Sequence, residues 1–274
     1  MHKSNSFGKK LTLVATALMV VSTVMPGEAA RRRKRFDCEK EFAKAKEKYE
    51  EERYGDVKTI LADVKLHCGG HAIMDSVLYF TAKSLLAQGN SFEARTEFER
   101  LIQDFPESPF AEEARFRIGH CSYIESRIYE RDQTETRQAI RRLRGFLEAR
   151  PDSPFADSAR IYLQESREKL AKKDFMAARF YEKIEKNESA IVYYKVFLEE
   201  HPTSKFVPEA KLSLAKALVK VSRPEEARDL LVDLLESGPP QEIAARAQQL
   251  KESLEATDSP PQGSASSANE KLVR

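Results

Sequence analysis

The 274-residue sequence predicts an all-α fold: a right-handed α-solenoid of five helix pairs, with an extra helix before the fourth pair and a capping helix at the C-terminal end. Composition is the first observation, because only 10 glycines, many Ala, Glu, Lys, Leu and Arg residues, and few uninterrupted Val/Ile runs favour helix over sheet. A recurring joint is the second, read as FPESPF at 105–110, RPDSPF at 150–155 and HPTSKF at 201–206. The third is a fixed pattern of small and large residues before each joint.

The fixed pattern has the period of a tetratricopeptide-like helix pair, in which a small residue lies 12 positions and a large one 8 positions before a proline. The small residue allows the two helices to approach, and the large one fills the space between neighbouring pairs. A weaker first pair has Val57 and Leu61 before Gly69. The matching residues of the other pairs are Ala94 and Phe98, Ala139 and Leu143, Ala190 and Tyr194, and Ala227 and Leu231. The small residues of the first helices are Ala45, Ala82, Gly119, Ala178 and Ala215.

The distances between joints predict two additions to the basic pair. An insertion of roughly eight residues, including YERDQTETR, is expected between the helices of the third pair, and an extra helix at about 154–170 runs into the fourth pair. The segment PQEIAARAQQLKESLEA predicts the capping helix. At the joints, Pro151 is expected to stop one helix, Ser153 to cap the next, and Pro154 to occupy its first position.

The termini differ from the repeat region, which is expected at 37–256. Residues 1–30 have a basic start, a short apolar run and small residues before Arg31, which predicts a secretory signal peptide; a retained anchor is the alternative. A basic arm follows at 31–36 and is expected to be solvated and flexible; an arm that holds the protein near anionic lipid is the alternative. The tail at 257–274 is expected to be disordered. Because the charges of the remaining chain balance, nucleic acid is not an expected partner.

The sequence contains none of the motifs of common catalytic sites, so we expect no enzyme activity, no cofactor and no metal. Cys38, His67, Cys68 and His71 could be arranged around zinc, but their spacing matches no common zinc pattern. We expect a disulfide between Cys38 and Cys68, since both lie at the same end of the first pair and export places them in an oxidising compartment. Two unpaired, packed cysteines are the alternative, and Cys121 remains as a buried thiol.

Two groups of residues are candidates for binding. Lys46, Tyr49, Tyr79 and Lys83 fall on the first helices of pairs one and two, where they could meet an extended peptide with an aromatic end and a free carboxylate. The alternative is an aromatic core with solvated lysines. In AIVYYKVFLEE, the core positions leave Tyr193 pointing outward, which makes it a candidate for docking a partner.

Three features together point to a known family: the insertion in the third pair, the extra helix before the fourth, and the segment REKLAKKDFMAARFYEKIEKNESAIVYYKVFLEEHPTSKF. In these features the chain resembles the BamD/ComL/YfiO family. The resemblance implies a non-enzymatic subunit of the outer-membrane β-barrel assembly machinery, at the periplasmic face of the outer membrane. Such a subunit docks on the barrel insertase, contacts other subunits and receives unfolded precursors through its N-terminal repeats. An inner-membrane-anchored periplasmic scaffold or chaperone-like protein is the alternative.

The resemblance departs from the family pattern at the lipid anchor. Members of this family carry a lipidated Cys after a Leu, small, small sequence, and Cys38 in KRFDCEK lacks that sequence. We therefore expect cleavage after Ala29 or Ala30 and a mature chain without fatty acid.

Overall fold

The structure is a computed structural model of the chain, and it describes residues 36–126 and 128–258, without the side chains of 257 and 258. The expected signal peptide at 1–30, residues 31–35 of the basic arm and the tail from 259 lie outside the described residues.

The described residues form eleven α-helices and no strand, and each helix packs on the next one along the chain. This arrangement is the predicted all-α solenoid. The helices are α1 (Cys38–Glu50), α2 (Tyr54–His67), α3 (Met74–Ala87), α4 (Ser91–Asp104), α5 (Ala111–Glu125), α6 (Thr134–Ala149), α7 (Ala156–Lys183), α8 (Asn187–Glu200), α9 (Val207–Lys220), α10 (Pro224–Glu236) and α11 (Gln241–Asp258).

The small residues of the predicted pattern lie where the two helices of each pair meet. The four alanines of the first helices are at most 1% exposed, and their partners on the second helices are fully buried. Gly119 shows how close the approach is: a Cβ atom on it would lie 2.8 Å from Cδ2 and 3.4 Å from the backbone nitrogen of Leu143. A distance of 2.8 Å between two carbon atoms is too short for ordinary packing. At the observed separation of α5 and α6, only glycine therefore fits at position 119.

The insertion of the third pair occupies residues 126–133, eight residues where the turns of the other pairs have three. Its fold depends on Gln133, whose buried side-chain amide donates to the carbonyls of Ile128 and Arg131, each at 2.9 Å. The sequence prediction was wrong about its end. Residues 134–137 begin α6, because Thr136 and the residues after it are needed for the buried face of that helix.

The extra helix and the first helix of the fourth pair form one continuous helix, α7, of 28 residues. Its N-terminal half packs into the core of the third pair through Ala159 and Leu163. Its C-terminal half packs into the core of the fourth and fifth pairs through Ala171, Phe175 and Ala178. No loop interrupts the chain between the two cores, so α7 belongs to both.

The joints are turns of one common shape. In the joint of RPDSPF, the Ser153 hydroxyl accepts a hydrogen bond from the Phe155 N–H at 3.2 Å, and the Ser153 carbonyl accepts one from Ala156 at 2.9 Å. The helix begins only at Ala156, so the predicted position of Pro154 in the first helical turn was wrong: this proline lies in the turn before the helix. The joint at Ser204 has the same hydrogen bond to Phe206 without a second proline.

Each joint serine also links two successive helix pairs, a contact that the sequence pattern did not predict. The serine hydroxyl donates to a carboxylate on the first helix of the preceding pair, or on α7 for the last joint. The three contacts are Ser108 to Asp75 at 2.8 Å, Ser153 to Glu112 at 2.6 Å and Ser204 to Glu168 at 2.9 Å. Because an ionised acceptor strengthens a hydrogen bond, these contacts help to fix the angle between neighbouring pairs.

The two ends of the solenoid are covered differently. At the first pair, Cys38 and Cys68 are joined by a disulfide with their Cα atoms 6.1 Å apart, and Cys121 is a free, buried thiol. At the other end, α11 packs on α9 and α10, burying Ala247 and Leu254. The Arg246 guanidinium donates two hydrogen bonds, each of 3.1 Å, to the Glu209 carboxylate. The predicted capping helix is α11, and it ends at Asp258, two residues beyond its predicted end.

Substitution of Gly119 by alanine tests the close approach of α5 and α6. The added methyl group would collide with Leu143, and we expect Gly119→Ala to lower the free energy of unfolding by about 1–2 kcal/mol, because overpacking exceeds the gain in helix propensity. Gly145→Ala is the matched control, since this glycine lies in α6 with open space around it and should gain about 0.5–1 kcal/mol. Chemical denaturation measures both variants. A Gly119→Ala protein at least as stable as the wild type would contradict the proposed packing.

Removal of the disulfide tests its role at the end of the solenoid. Peptide mapping without reductant should find Cys38 linked to Cys68 and Cys121 free. The double variant Cys38→Ser, Cys68→Ser should lose up to about 3.7 kcal/mol, the chain-entropy estimate for a loop of this length. Cys121→Ser is the control for loss of a thiol alone. If reductant leaves the unfolding transition of the wild type unchanged, the disulfide does not stabilise the first pair.

Candidate functional site

The first candidate surface lies on α1 and α3, which pack against each other. The structure brings together the four residues named from the sequence. The Lys83 ammonium lies 5.5 Å from the centre of the Tyr49 ring and 5.1 Å from that of Tyr79. The Lys46 ammonium lies 5.9 Å from the centre of the Phe80 ring. We call these five side chains the α1–α3 surface.

Tyr79 forms the floor of this surface and is only 6% exposed. Its hydroxyl donates a 2.6 Å hydrogen bond to the Glu113 carboxylate on α5, which also accepts a 3.0 Å bond from Arg117. Burial raises the pKa of the Tyr79 hydroxyl, and the hydrogen bond to Glu113 raises it further. The hydroxyl therefore stays protonated and engaged with Glu113, which leaves only the ring of Tyr79 to support Lys83.

The accessible part of the α1–α3 surface is formed by Lys46, Tyr49 and Lys83, of which Lys46 is exposed and the other two are partly exposed. Among the residues that the structure describes, neither lysine forms an ion pair. Both ammonium groups lie over aromatic rings, where they are attracted by the ring electrons. Two cations that are held over aromatic rings without a carboxylate partner can still accept an anionic group from a ligand.

Phe80 was missed by the sequence interpretation. Its ring contacts those of Phe42, Tyr49 and Tyr79 edge to face, with centroid distances of 5.8, 5.3 and 5.4 Å. It thus holds the rings of both helices in place. The adjacent aromatic pair in VLYFTAK was the available signal, because consecutive residues of a helix point in different directions and Phe80 can therefore reach rings that Tyr79 does not.

The second candidate surface lies on α7 and α8. Tyr193 is 42% exposed, and its ring stacks on that of Tyr181 with a centroid distance of 4.5 Å. Other apolar side chains of these two helices and of the turn between them are exposed as well: Phe180, Ile184, Val192 and Val196. We call these six residues the α7–α8 surface. Exposed aromatic and aliphatic side chains at this density are typical of sites that bind other proteins.

The cysteines and histidines of the first pair do not form the zinc arrangement that was weighed from the sequence. The sulfur atoms of Cys38 and Cys68 are bonded to each other and so are not free thiolates. His67 Nδ1 instead contacts the carbonyl of Asp63 at 2.8 Å. The remaining thiol, Cys121, is fully buried, and burial raises its pKa to about 12, which keeps it protonated at neutral pH.

None of the described helices combines the length and the apolar character needed to cross a bilayer.

Among curated proteins, the outer membrane protein assembly factor BamD of Caulobacter vibrioides is 30% identical over 141 residues, which is 51% of this chain and 46% of that protein. The chain thus spans about half the length of this relative. Among solved structures, the TPR2AB-domain:pHSP90 complex of yeast Sti1 has a TM-score of 0.42 at 14% identity, covering 80% of this chain and 83% of the other. The P58(IPK) TPR domain has a TM-score of 0.40 at 14% identity, covering 82% and 62%.

A family model also matches the chain. It is described as YfiO, outer membrane lipoprotein, and it matches residues 37–229, most of the helical region including both candidate surfaces. The chain belongs to the YfiO family of outer membrane lipoproteins.

Proposed function

We propose that this chain is a non-enzymatic subunit of the machinery that assembles outer-membrane β-barrel proteins, acting at the periplasmic face of the outer membrane. The observation that carries the proposal is the family match over 37–229, together with a relative named as an assembly factor. The two surfaces divide the work. The α1–α3 surface receives unfolded barrel precursors, and the α7–α8 surface docks on the barrel insertase, next to other subunits.

The α1–α3 surface suits the end of an extended chain. A peptide carboxylate placed near the Lys83 and Lys46 ammonium groups forms charge-assisted hydrogen bonds, while an aromatic side chain of the peptide packs against the ring of Tyr49. Tyr79 and Glu113 support this surface from below, because their hydrogen bond fixes α3 against α5. The α1–α3 surface therefore recognises an aromatic residue and a free carboxylate together.

The α7–α8 surface suits a folded partner. Five of its six side chains are exposed and Tyr181 is partly exposed, and the stacked rings of Tyr181 and Tyr193 are held in one orientation before binding. A rigid aromatic pair loses little conformational entropy when it is buried in an interface. Binding of the insertase here leaves the α1–α3 surface free for precursors.

Binding of a short peptide tests the proposed role of the α1–α3 surface. A peptide that ends in an aromatic residue with a free carboxylate should bind, and Lys83→Gln should weaken its binding roughly 10- to 100-fold, the loss of one charge-assisted contact. Lys58→Gln is the matched control, since Lys58 is exposed on α2, away from this surface. Isothermal titration measures the affinities. If the same peptide with an amidated end binds as tightly as the free acid, the carboxylate is not recognised and this part of the proposal is wrong.

Capture of the native complex tests the proposed role of the α7–α8 surface. Affinity purification of the chain in mild detergent should recover a barrel insertase, and Tyr193→Ala should reduce that recovery at least fivefold. Leu66→Ala is the control, because Leu66 is an exposed apolar residue of α2 outside the α7–α8 surface. Recovery of inner-membrane partners without any insertase would overturn the proposal in favour of an inner-membrane-anchored scaffold.

A further inference from the structure

The third joint, HPTSKF, differs from the others in the residue that ends its preceding helix. His201 stands directly after α8, where the other two joints have Phe105 and Arg150. Its Nε2 atom lies 2.8 Å from Oδ2 of Asp174 on α7, and Glu200 is the last residue of α8. An imidazole and two carboxylates from two helices thus meet at one end of the fourth pair.

The donor atoms of these three residues are close enough to share an ion. One donor atom of each lies within 4.8 Å of the other two. The His201 side chain is 14% exposed and is fixed by its contact with Asp174, whereas the Asp174 side chain is 46% exposed and Glu200 is exposed. The two carboxylates can therefore rotate toward a fixed imidazole.

We propose that Asp174, Glu200 and His201 form a binding site for a divalent transition-metal ion, with Zn²⁺ the ion that their chemistry favours. Zinc takes imidazole nitrogen and carboxylate oxygen at about 2.0–2.2 Å, which places neighbouring donors ~3.3 Å apart in a tetrahedral site. The Nε2 and Oδ2 atoms of the His201–Asp174 pair are already 2.8 Å apart, and an ion would take the place of the hydrogen between them, with the imidazole proton carried on Nδ1. Mg²⁺ and Ca²⁺ prefer oxygen donors alone and are disfavoured by the imidazole.

Space and charge around the three residues are compatible with this ion. A cavity of about 370 Å³ lies beside two of the three residues, Glu200 and His201, and Asp174 is not among the residues that line it. The last carbonyls of α8 carry partial negative charge and attract a cation at this helix end. Arg144 and Arg167 line the same cavity and oppose a cation, so two carboxylates are needed to neutralise the charge of the ion.

A bound ion would join α7 directly to the end of α8. In its absence, the hydrogen bond between His201 and Asp174 makes the same connection more weakly. The ion would thus act as a structural clamp on the fourth helix pair, which also carries Tyr193. This inference does not depend on the proposed role in barrel assembly.

Titration of the chelator-treated full chain with Zn²⁺ alone tests the site. The disulfide is kept intact so that no surface thiol competes. We expect one equivalent of Zn²⁺ to bind and to raise the midpoint of thermal unfolding, and Mg²⁺ to do neither. His201→Gln and Asp174→Asn should each weaken Zn²⁺ binding at least tenfold. The double variant His67→Gln, His71→Gln is the matched control and should bind as the wild type does.

Asp174→Asn separates a metal site from a simple hydrogen-bonded clamp. Asparagine can still accept a hydrogen bond from His201, so this variant should unfold at the wild-type temperature without zinc and should lose only the increase that zinc produces. The proposal is overturned if 100 µM Zn²⁺ gives no binding signal with the wild type. It is equally overturned if His201→Gln or Asp174→Asn binds Zn²⁺ with wild-type affinity.

Discussion

Close contact between helices at small residues is the constraint on which the rest of this structure depends. Where Ala82 faces α4, or Gly119 faces Leu143, no larger side chain fits, and the two helices lock at a short distance. Repetition of that contact along the chain places the first helices of successive pairs side by side, as α1 and α3 show. Only because the backbones are so close can Lys83 of α3 lie over a ring of α1.

Structural elements that are determined by short spacings between residues in the sequence were predictable. Small and large residues 12 and 8 positions before a proline identified the helix pairs, and departures from the period located the insertion and the long α7. Contacts between distant residues were not predictable, since no local period fixes them. The hydrogen bond from Ser153 to Glu112 joins residues 41 positions apart and depends on the angle between two pairs. Phe80 was missed for the same reason, because its role comes from rings on another helix.

In the first pair, the sulfur atom of Cys38 can form only one of two covalent bonds, a disulfide or a thioether to a lipid. The family is described as outer membrane lipoproteins, and lipidation of a cysteine requires its sulfur atom for a thioether. In this structure the Cys38 sulfur is bonded to Cys68, so the same sulfur cannot also carry a lipid. The bond instead closes the first pair at the end of α2, where Gly69 and Gly70 follow Cys68 in place of the Pro-Glu-Ser or Pro-Asp-Ser of later joints.

The uninterrupted helix α7 has a mechanical consequence. Its 28 residues extend for about 42 Å, and its two halves are embedded in different cores. A helix that is held in this way behaves as a strut, since bending it would break backbone hydrogen bonds and separate packed side chains at once. The pairs before and after it therefore cannot swing as independent arms. Because no loop in α7 can serve as a hinge between the two cores, a displacement of the C-terminal pairs would be transmitted through this helix to the third pair.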